Sequence, residues 1–182
     1  MKRPLTVVLG TALATAFLGA APASAQQLTV SDPQGDSSAR TLDILSVTFR
    51  NRDAVVVADM TFADTTRDGD IIVSVDPRGG TGVRMVSTFR AAGGTKNFVL
   101  HKAFTDRGSS TKRVRCPGFS MRQGTGDGGS PSITLRMPSR CLAGGNFGAL
   151  RFAVLIEHHG DRDWAPAARN GGVGSTDWVA RG

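Results

Sequence analysis

The chain has 182 residues, of which 22 are Lys or Arg and 15 are Asp or Glu, and it contains two Cys, two Trp and no Tyr. The stretch 26–182 has 157 residues, the size of one ordinary domain, which disfavours a multidomain architecture. Its 20 basic and 15 acidic side chains give a net charge of +5. Nearly all the basic residues are Arg, as GC-rich coding sequence favours, so the charge alone is weak evidence for a polyanionic partner.

The first predicted element is a cleavable secretory signal peptide over residues 1–25. Lys2 and Arg3 give it a positive start, residues 5–20 are uncharged and largely apolar, and small residues lead up to Ala25. This is the pattern that signal peptidase recognises. The apolar run is shorter than the roughly 20 residues of a membrane span, so an uncleaved anchor is the less favoured alternative. We therefore predict a secreted, extracellular protein with no membrane span, whose working part is domain 26–182.

An acidic turn follows the predicted cleavage site. Residues 32–36 are Asp-Pro-Gln-Gly-Asp, and Asp43 stands at the start of the next predicted strand. Hard cations such as Ca²⁺ prefer six to eight oxygen ligands, which carboxylates and backbone carbonyls supply. Asp32, Asp36 and Asp43 are therefore candidate ligands of a structural Ca²⁺. The alternative is a plain β-turn in which the Asp side chains accept backbone amides.

Alternation of apolar and polar residues dominates the stretch that follows. Short alternating runs are separated by Gly, Asp and Pro turns about every ten residues, as in β-sandwiches. We predict an all-β fold, a single-domain antiparallel β-sandwich of jelly-roll type with about nine strands and one disulfide. The clearest alternating runs are 45–50, 56–62, 71–75, 83–90, 98–104, 113–116 and 133–137. The run 150–158 is apolar on nearly both faces, as in a strand at the centre of a sheet.

A second acidic segment lies between two of these runs. Residues 64–70 have Asp at the first and fifth positions and Gly at the sixth, as an EF-hand loop does, but Val75 occupies the twelfth position, where the EF-hand has a bidentate Glu. We expect a hairpin loop here instead of a metal site.

Cys116 and Cys141 are the two cysteines of the chain. An even number of cysteines in an exported protein favours a disulfide over a catalytic thiol. Closing the loop between them would stabilise the fold by on the order of 3.5 kcal/mol in the chain-entropy model.

Two adjacent histidines, His158 and His159, precede Asp161 and Asp163 near the end of the last long strand. Neighbouring side chains on a strand point to opposite faces, so we expect the two histidines to be unable to bind one ion together. The segment is either a polar strand end or, together with the two Asp, an acid/base or metal site.

Five arginines lie around the cysteines: Arg113, Arg115, Arg122, Arg136 and Arg140. On neighbouring strands they would form a basic face able to bind an acidic polymer, although a solvated face is the simpler interpretation. Nucleic acid is disfavoured because few aromatic residues accompany the charge. The segment 123–131 between two predicted strands is glycine-rich, and we expect a mobile loop there.

The Asp-Pro-x-Gly-Asp turn, its short spacer and the Asp43–Ile44 strand start resemble the opening of DOMON-like β-sandwich domains. This group includes the family-9 carbohydrate-binding modules and the accessory domain of glucodextranase. The whole chain, with its ending 178–182, also resembles uncharacterised secreted β-sandwich proteins of actinobacteria. The resemblance implies a structural Ca²⁺ bound by Asp32, Asp36 and Asp43. The sugar-binding members use exposed aromatic platforms, whereas this chain has two Trp and no Tyr.

The sequence thus predicts a secreted, non-catalytic binding or accessory module that Ca²⁺ stabilises, with a cell-wall or extracellular glycan or protein as its partner. One alternative is a secreted hydrolase of glycans or esters that uses His158, His159, Asp161 and Asp163. A second alternative is an extracellular inhibitor or interaction protein that contacts its partner through segment 123–131. Gly-x-Ser-x-Gly and His-Glu-x-x-His motifs and phosphate-binding glycine loops are absent from the sequence, so no catalytic residue is assigned.

Overall fold

The computed structural model describes residues 27–37, 41, 43–65, 68–90, 94–108, 110–142, 148–169 and 172–182. The predicted signal peptide lies outside these ranges, so secretion remains a prediction. No helix in the described ranges is both long and apolar enough to cross a membrane.

The described chain forms two packed antiparallel sheets, which confirms the predicted all-β sandwich. One sheet has five strands in the order β1-β2-β3-β9-β8, and the other has seven, in the order β11-β10-β4-β5-β6-β7 with β12 paired to β10. There are more strands than the nine expected, because β1, β8, β11 and β12 are too short or too polar to show a clear alternation. The strands are β1 (Gln27–Ser31), β2 (Ile44–Asn51), β3 (Val55–Phe62), β4 (Gly69–Pro77), β5 (Val83–Arg90), β6 (Gly94–His101), β7 (Arg113–Val114), β8 (Ser120–Thr125), β9 (Pro131–Pro138), β10 (Ala149–His158), β11 (Asp161–Ala165) and β12 (Val179–Ala180).

Alternate residues of the long strands form the core between the two sheets. Val47 and Phe49 of β2 and Val154 and Phe152 of β10 are at most 1 % exposed. The rings of Phe49 and Phe152 stack across the sandwich with their centroids 4.7 Å apart. A buried pair of this kind stabilises the packing beyond its buried area, by about 0.5–1.5 kcal/mol.

The predicted disulfide is present between Cys116 and Cys141, whose Cα atoms are 5.4 Å apart. The segment 123–131 differs from the expected mobile loop. Residues 123–125 belong to β8 and pair with Pro131–Ile133 of β9, and a three-residue 3₁₀ turn at Asp127–Gly129 joins the two strands. Gly126, Gly128 and Gly129 thus form the tip of a hairpin, whereas Gly124 belongs to β8.

The second acidic segment also differs from its prediction. It connects β3 of the five-stranded sheet to β4 of the seven-stranded sheet, so it is a crossover between sheets and not a hairpin loop. In its described part, Asp68 and Asp70 lie 3.7 and 3.4 Å from the Arg90 guanidinium. Arg90 therefore balances charge that could otherwise attract a cation.

Candidate metal site

Three aspartates converge where the turn after β1 meets β11. Asp32 follows β1 directly, and its backbone N–H donates to the Leu45 carbonyl at 3.0 Å, which fixes the start of the turn against β2. Asp36 follows Gly35, whose φ of +89° is a left-handed conformation that glycine adopts without strain. Asp163 comes from the middle of β11, in the other sheet.

One carboxylate oxygen from each of Asp32, Asp36 and Asp163 lies within 4.8 Å of the other two. The Oδ2 atom of Asp32 is fully buried and accepts no hydrogen bond from an N–H or hydroxyl group of the described residues. Asp36, in contrast, is exposed. The cluster is thus closed on the protein side and open to solvent on the Asp36 side, which gives an ion a route of entry.

Asp163 is the most firmly held member of the cluster. It is 4 % exposed. Its Oδ2 accepts the backbone N–H of Ile44 at 2.6 Å, and its Oδ1 accepts its neighbour Trp164 N–H at 2.7 Å. A carboxylate oxygen can accept more than one bond, so both oxygens retain capacity for a cation.

Asp43 has a different place from the one the sequence suggested. It is 2 % exposed, and both of its carboxylate oxygens accept the Gly35 backbone N–H, at 3.1 and 2.9 Å. Asp43 therefore holds the turn that carries Asp36. Of the three predicted ligands, Asp32 and Asp36 belong to the cluster and Asp43 does not. The third member of the cluster is Asp163.

The carboxylates of the cluster repel one another when no cation is bound. Burial raises the pKa of Asp32 to about 7, and the charges of Asp163, Asp36 and Asp43 add to the effect. Burial also raises the pKa of Asp163, although its bonds to the Ile44 and Trp164 amides oppose this. Asp32 and Asp163 are close enough to share a proton. A proton or a cation must therefore offset the repulsion between the carboxylates.

The donor set determines which cations fit. All the clustered atoms are carboxylate oxygens, and neither His nor Cys belongs to the group. Oxygen-only sites suit Ca²⁺ and Mg²⁺, whereas Zn²⁺ sites are built mainly from His and Cys. An unpartnered buried oxygen beside two further carboxylates fits a hard divalent cation, with water or backbone carbonyls completing its coordination.

Sequence reasoning missed Asp163 as a partner of the turn because it lies 127 positions after Asp36 in the sequence. A signal was nevertheless present. Residues 161, 163 and 165 of β11 share one face, and Ala165 is fully buried. An Asp on the same face of a strand as a core residue needs a partner inside the protein.

The two adjacent histidines contradict the expectation that they point apart. Their rings stack with centroids 3.9 Å apart. The alternation stops because β10 ends at His158 and His159 has a φ of +50° in the turn before β11. The histidines line a cleft of about 360 Å³ together with Asp68 and Glu157, and His158 Nδ1 lies 3.9 Å from Asp68 Oδ1.

The only large apolar side chain exposed in the described ranges is that of Trp178, at 37 %. The guanidinium carbons of Arg78 and Arg151 lie 4.9 and 5.1 Å from the centre of its ring. Arg151 also donates to Asp76 at 2.6 Å. The aromatic surface is therefore engaged by two cations of the same chain.

Comparisons of the chain with protein-family models, with curated proteins and with solved structures found no match. The resemblance to DOMON-like domains and family-9 carbohydrate-binding modules therefore remains a prediction. What can be argued about function comes from the residues and their geometry.

Proposed function

We propose that the protein is a secreted, non-catalytic binding or accessory module whose fold is stabilised by Ca²⁺ at Asp32, Asp36 and Asp163. One observation carries the proposal. A fully buried carboxylate oxygen of Asp32 accepts no hydrogen bond from any N–H or hydroxyl group in the described part of the chain, and it belongs to a group of three converging carboxylates. Unpartnered buried polar atoms are rare because burial without a partner costs about 1–3 kcal/mol.

A cation at this position would stabilise the fold by joining its two layers. Asp32 and Asp36 belong to the turn between β1 and β2 of the five-stranded sheet, whereas Asp163 belongs to β11 of the seven-stranded sheet. Binding to the folded state alone raises the free energy of unfolding by about 2.7 kcal/mol at a free-ion concentration one hundred times the Kd. The role is structural, since the ion would connect elements of the fold.

Action outside the cell is supported by the disulfide and by the predicted signal peptide. Disulfides persist in oxidising compartments, and Cys116 and Cys141 are paired in this structure. Free Ca²⁺ is abundant outside cells, so a site of modest affinity would be filled there. Extracellular calcium modules bind with Kd values of about 10⁻⁴–10⁻³ M.

The hydrolase alternative has less support in the geometry. Asp163 is engaged by two backbone amides and by the aspartate cluster, whereas His158 and His159 line a separate cleft. The described lining of that cleft includes neither a hydroxyl nor a thiol nucleophile. A hydrolase there would have to activate water with a histidine or a carboxylate. Turnover of ester or glycoside substrates that is lost in His158→Gln would favour this alternative over our proposal.

Calorimetric melting tests the proposal directly. The metal-free protein is melted in chelator and then in excess Ca²⁺, and bound metal is counted by elemental analysis. We expect the melting temperature to rise with Ca²⁺ in the wild type and in Asp127→Asn, whose exposed side chain lies in the hairpin tip. We expect no rise in Asp36→Asn, which removes an exposed member of the cluster. An unchanged wild-type melting temperature with no bound calcium would refute the proposal.

A further inference from the structure

The outer face of the five-stranded sheet is polar, and one end of it is basic. Arg122 of β8 and Arg136 of β9 are exposed there, on neighbouring strands. In the register of this pair, Arg122 faces Thr134 and Arg136 faces Ser120, so the two arginines are diagonal neighbours. Diagonal positions in an antiparallel pair are about 7–8 Å apart, within reach of one ligand for long side chains.

These side chains line a cavity of about 420 Å³, which we call the arginine pocket: Gly118, Ser120, Arg122, Thr134 and Arg136. Its described lining contains no carboxylate. Neither Arg122 nor Arg136 makes an ion pair with any described residue, although Asp59 lies on β3, the strand next to β9. Asp59 is held instead by Arg50 and by the Thr134 hydroxyl, which donates to it at 2.6 Å. The positive charge of the pocket is therefore not neutralised from within.

The disulfide fixes the walls of the arginine pocket. Cys116 lies two residues before Gly118, and Cys141 directly follows Arg140. The Arg140 guanidinium donates to the Pro117 carbonyl at 3.0 Å. A third guanidinium is thereby held beside the pocket by a cross-linked loop, which limits the entropy that ligand binding would cost.

We propose that the arginine pocket binds the oxyanion groups of an acidic polysaccharide. Guanidinium groups form paired, charge-assisted bonds with carboxylate, sulfate and phosphate, and a pair of unneutralised arginines is complementary to such groups. The Ser120 hydroxyl can donate a further hydrogen bond to the ligand. The Thr134 hydroxyl cannot, because it already donates to Asp59. This inference rests on the proposed function, because it names the ligand class of a binding module that works outside the cell.

The surroundings favour a glycan over a nucleic acid. Proteins that bind single strands stack bases on exposed aromatic rings. Phe119, the aromatic residue between the lining residues Gly118 and Ser120, is partly buried and packs against the hydrophobic core instead of forming an exposed platform. Hydroxyl side chains lie further along the same sheet face, towards its opposite edge: Thr29 of β1 and Thr48 of β2 are hydrogen-bonded at 2.9 Å, and Ser46 of β2 and Thr61 of β3 at 2.8 Å. Hydroxyl groups suit the polar surface of sugar rings.

Binding of polygalacturonate and heparin, each measured against neutral dextran in calcium-free buffer, tests the proposal. We expect the wild type to bind the acidic polymers but not dextran. We expect Arg122→Gln/Arg136→Gln to bind them roughly tenfold or more weakly. The slope of log affinity against log salt concentration should become shallower by about one for each arginine removed. The control double variant, Arg107→Gln/Arg162→Gln, removes the same charge from exposed positions elsewhere in the chain and should lose less than about twofold.

Three results would overturn the inference: no binding of either acidic polymer, an equal loss in both double variants, or tighter binding of single-stranded DNA than of the glycans. The calcium-dependent rise in melting temperature is measured on the same variants. Absence of glycan binding in the wild type, with that rise intact, would reject the arginine pocket alone. Absence of the rise in the wild type would reject the proposed calcium site independently.

Discussion

Asp163 accepts the backbone N–H of Ile44 at 2.6 Å and thereby joins β11 of one sheet to β2 of the other. The bond is buried, and Asp163 also accepts its neighbour Trp164 N–H. A side chain in this position has two functions, because it satisfies backbone donors in the interior and presents its charge to the acidic turn. These two functions can be separated by substitution.

Asp163→Ala should destabilise the metal-free protein by about 2–3 kcal/mol, because it leaves the buried Ile44 N–H without its charged acceptor. Urea unfolding in chelator measures the loss. Arg162→Ala serves as the control, since Arg162 lies on the same strand but is exposed, and it should change the free energy of unfolding by less than about 0.5 kcal/mol. Equal losses in the two variants would contradict the structural role of Asp163.

The metal-free protein should lose stability as the pH rises from about 4 to about 7. In this window the unfolded Asp32 has released its proton, whereas the folded Asp32, with its pKa raised to about 7, still holds one. The folded state therefore binds more protons, and the free energy of unfolding falls with increasing pH. Because Asp32 is only partly buried, solvent screening reduces the effect to about 1–2 kcal/mol.

Urea unfolding in chelator at several pH values measures this decline, and Asp32→Asn should remove most of it because Asn does not titrate. Calcium affinity should increase over the same window, since the ion must displace the proton that Asp32 holds. A decline of unchanged size in Asp32→Asn would show that another group is responsible.

Asp43 should act on calcium affinity indirectly, by holding the turn. Asp43→Asn keeps one oxygen that can accept the Gly35 N–H, so we expect calcium affinity to fall by about 10–100-fold without being lost, as for residues that orient metal ligands. Titration calorimetry measures the Kd. The direct alternative, in which Asp43 is itself a ligand as the sequence suggested, predicts that Asp43→Asn abolishes binding as fully as Asp36→Asn.

Removal of the disulfide should leave calcium binding intact. Cys116→Ser/Cys141→Ser is expected to lose about 3.5 kcal/mol of stability, mainly because the unfolded chain gains freedom. The aspartate cluster is formed by the turn after β1 and by β11, outside the loop that the disulfide closes. The calcium-induced rise in melting temperature should therefore persist, and its disappearance would indicate that the two features are coupled.

The fold class could be predicted because alternation with a period of two follows directly from strand geometry. The run around Phe49 carried this signal, whereas the run around Phe152 was predicted from apolar residues on nearly both faces, and both residues are in the core. The pairing of Cys116 with Cys141 could be predicted because the chain has no other cysteine. β8 and β12 were less predictable, because β8 is largely exposed and polar and β12 contains two residues and is defined by its partner β10.

The candidate site was only partly predictable. Asp32 and Asp36 belong to one local turn, so their proximity follows from the sequence. The contribution of Asp163 depends on how the two sheets pack, which no local pattern specifies. The prediction that His158 and His159 point to opposite faces was wrong, and their rings stack instead. The rule for neighbouring strand residues fails here because the strand ends at His158 and His159 lies in a turn with positive φ.

The disulfide has a consequence for limited proteolysis. It joins the segments that flank β8 and β9, and β8 is the edge strand of its sheet, so this hairpin is a closed covalent ring. A protease that cleaves the exposed tip at Asp127–Gly129 opens the ring without releasing a fragment, because both halves stay attached through sulfur. A nicked molecule would migrate as intact on a non-reducing gel and would separate into two pieces only after reduction.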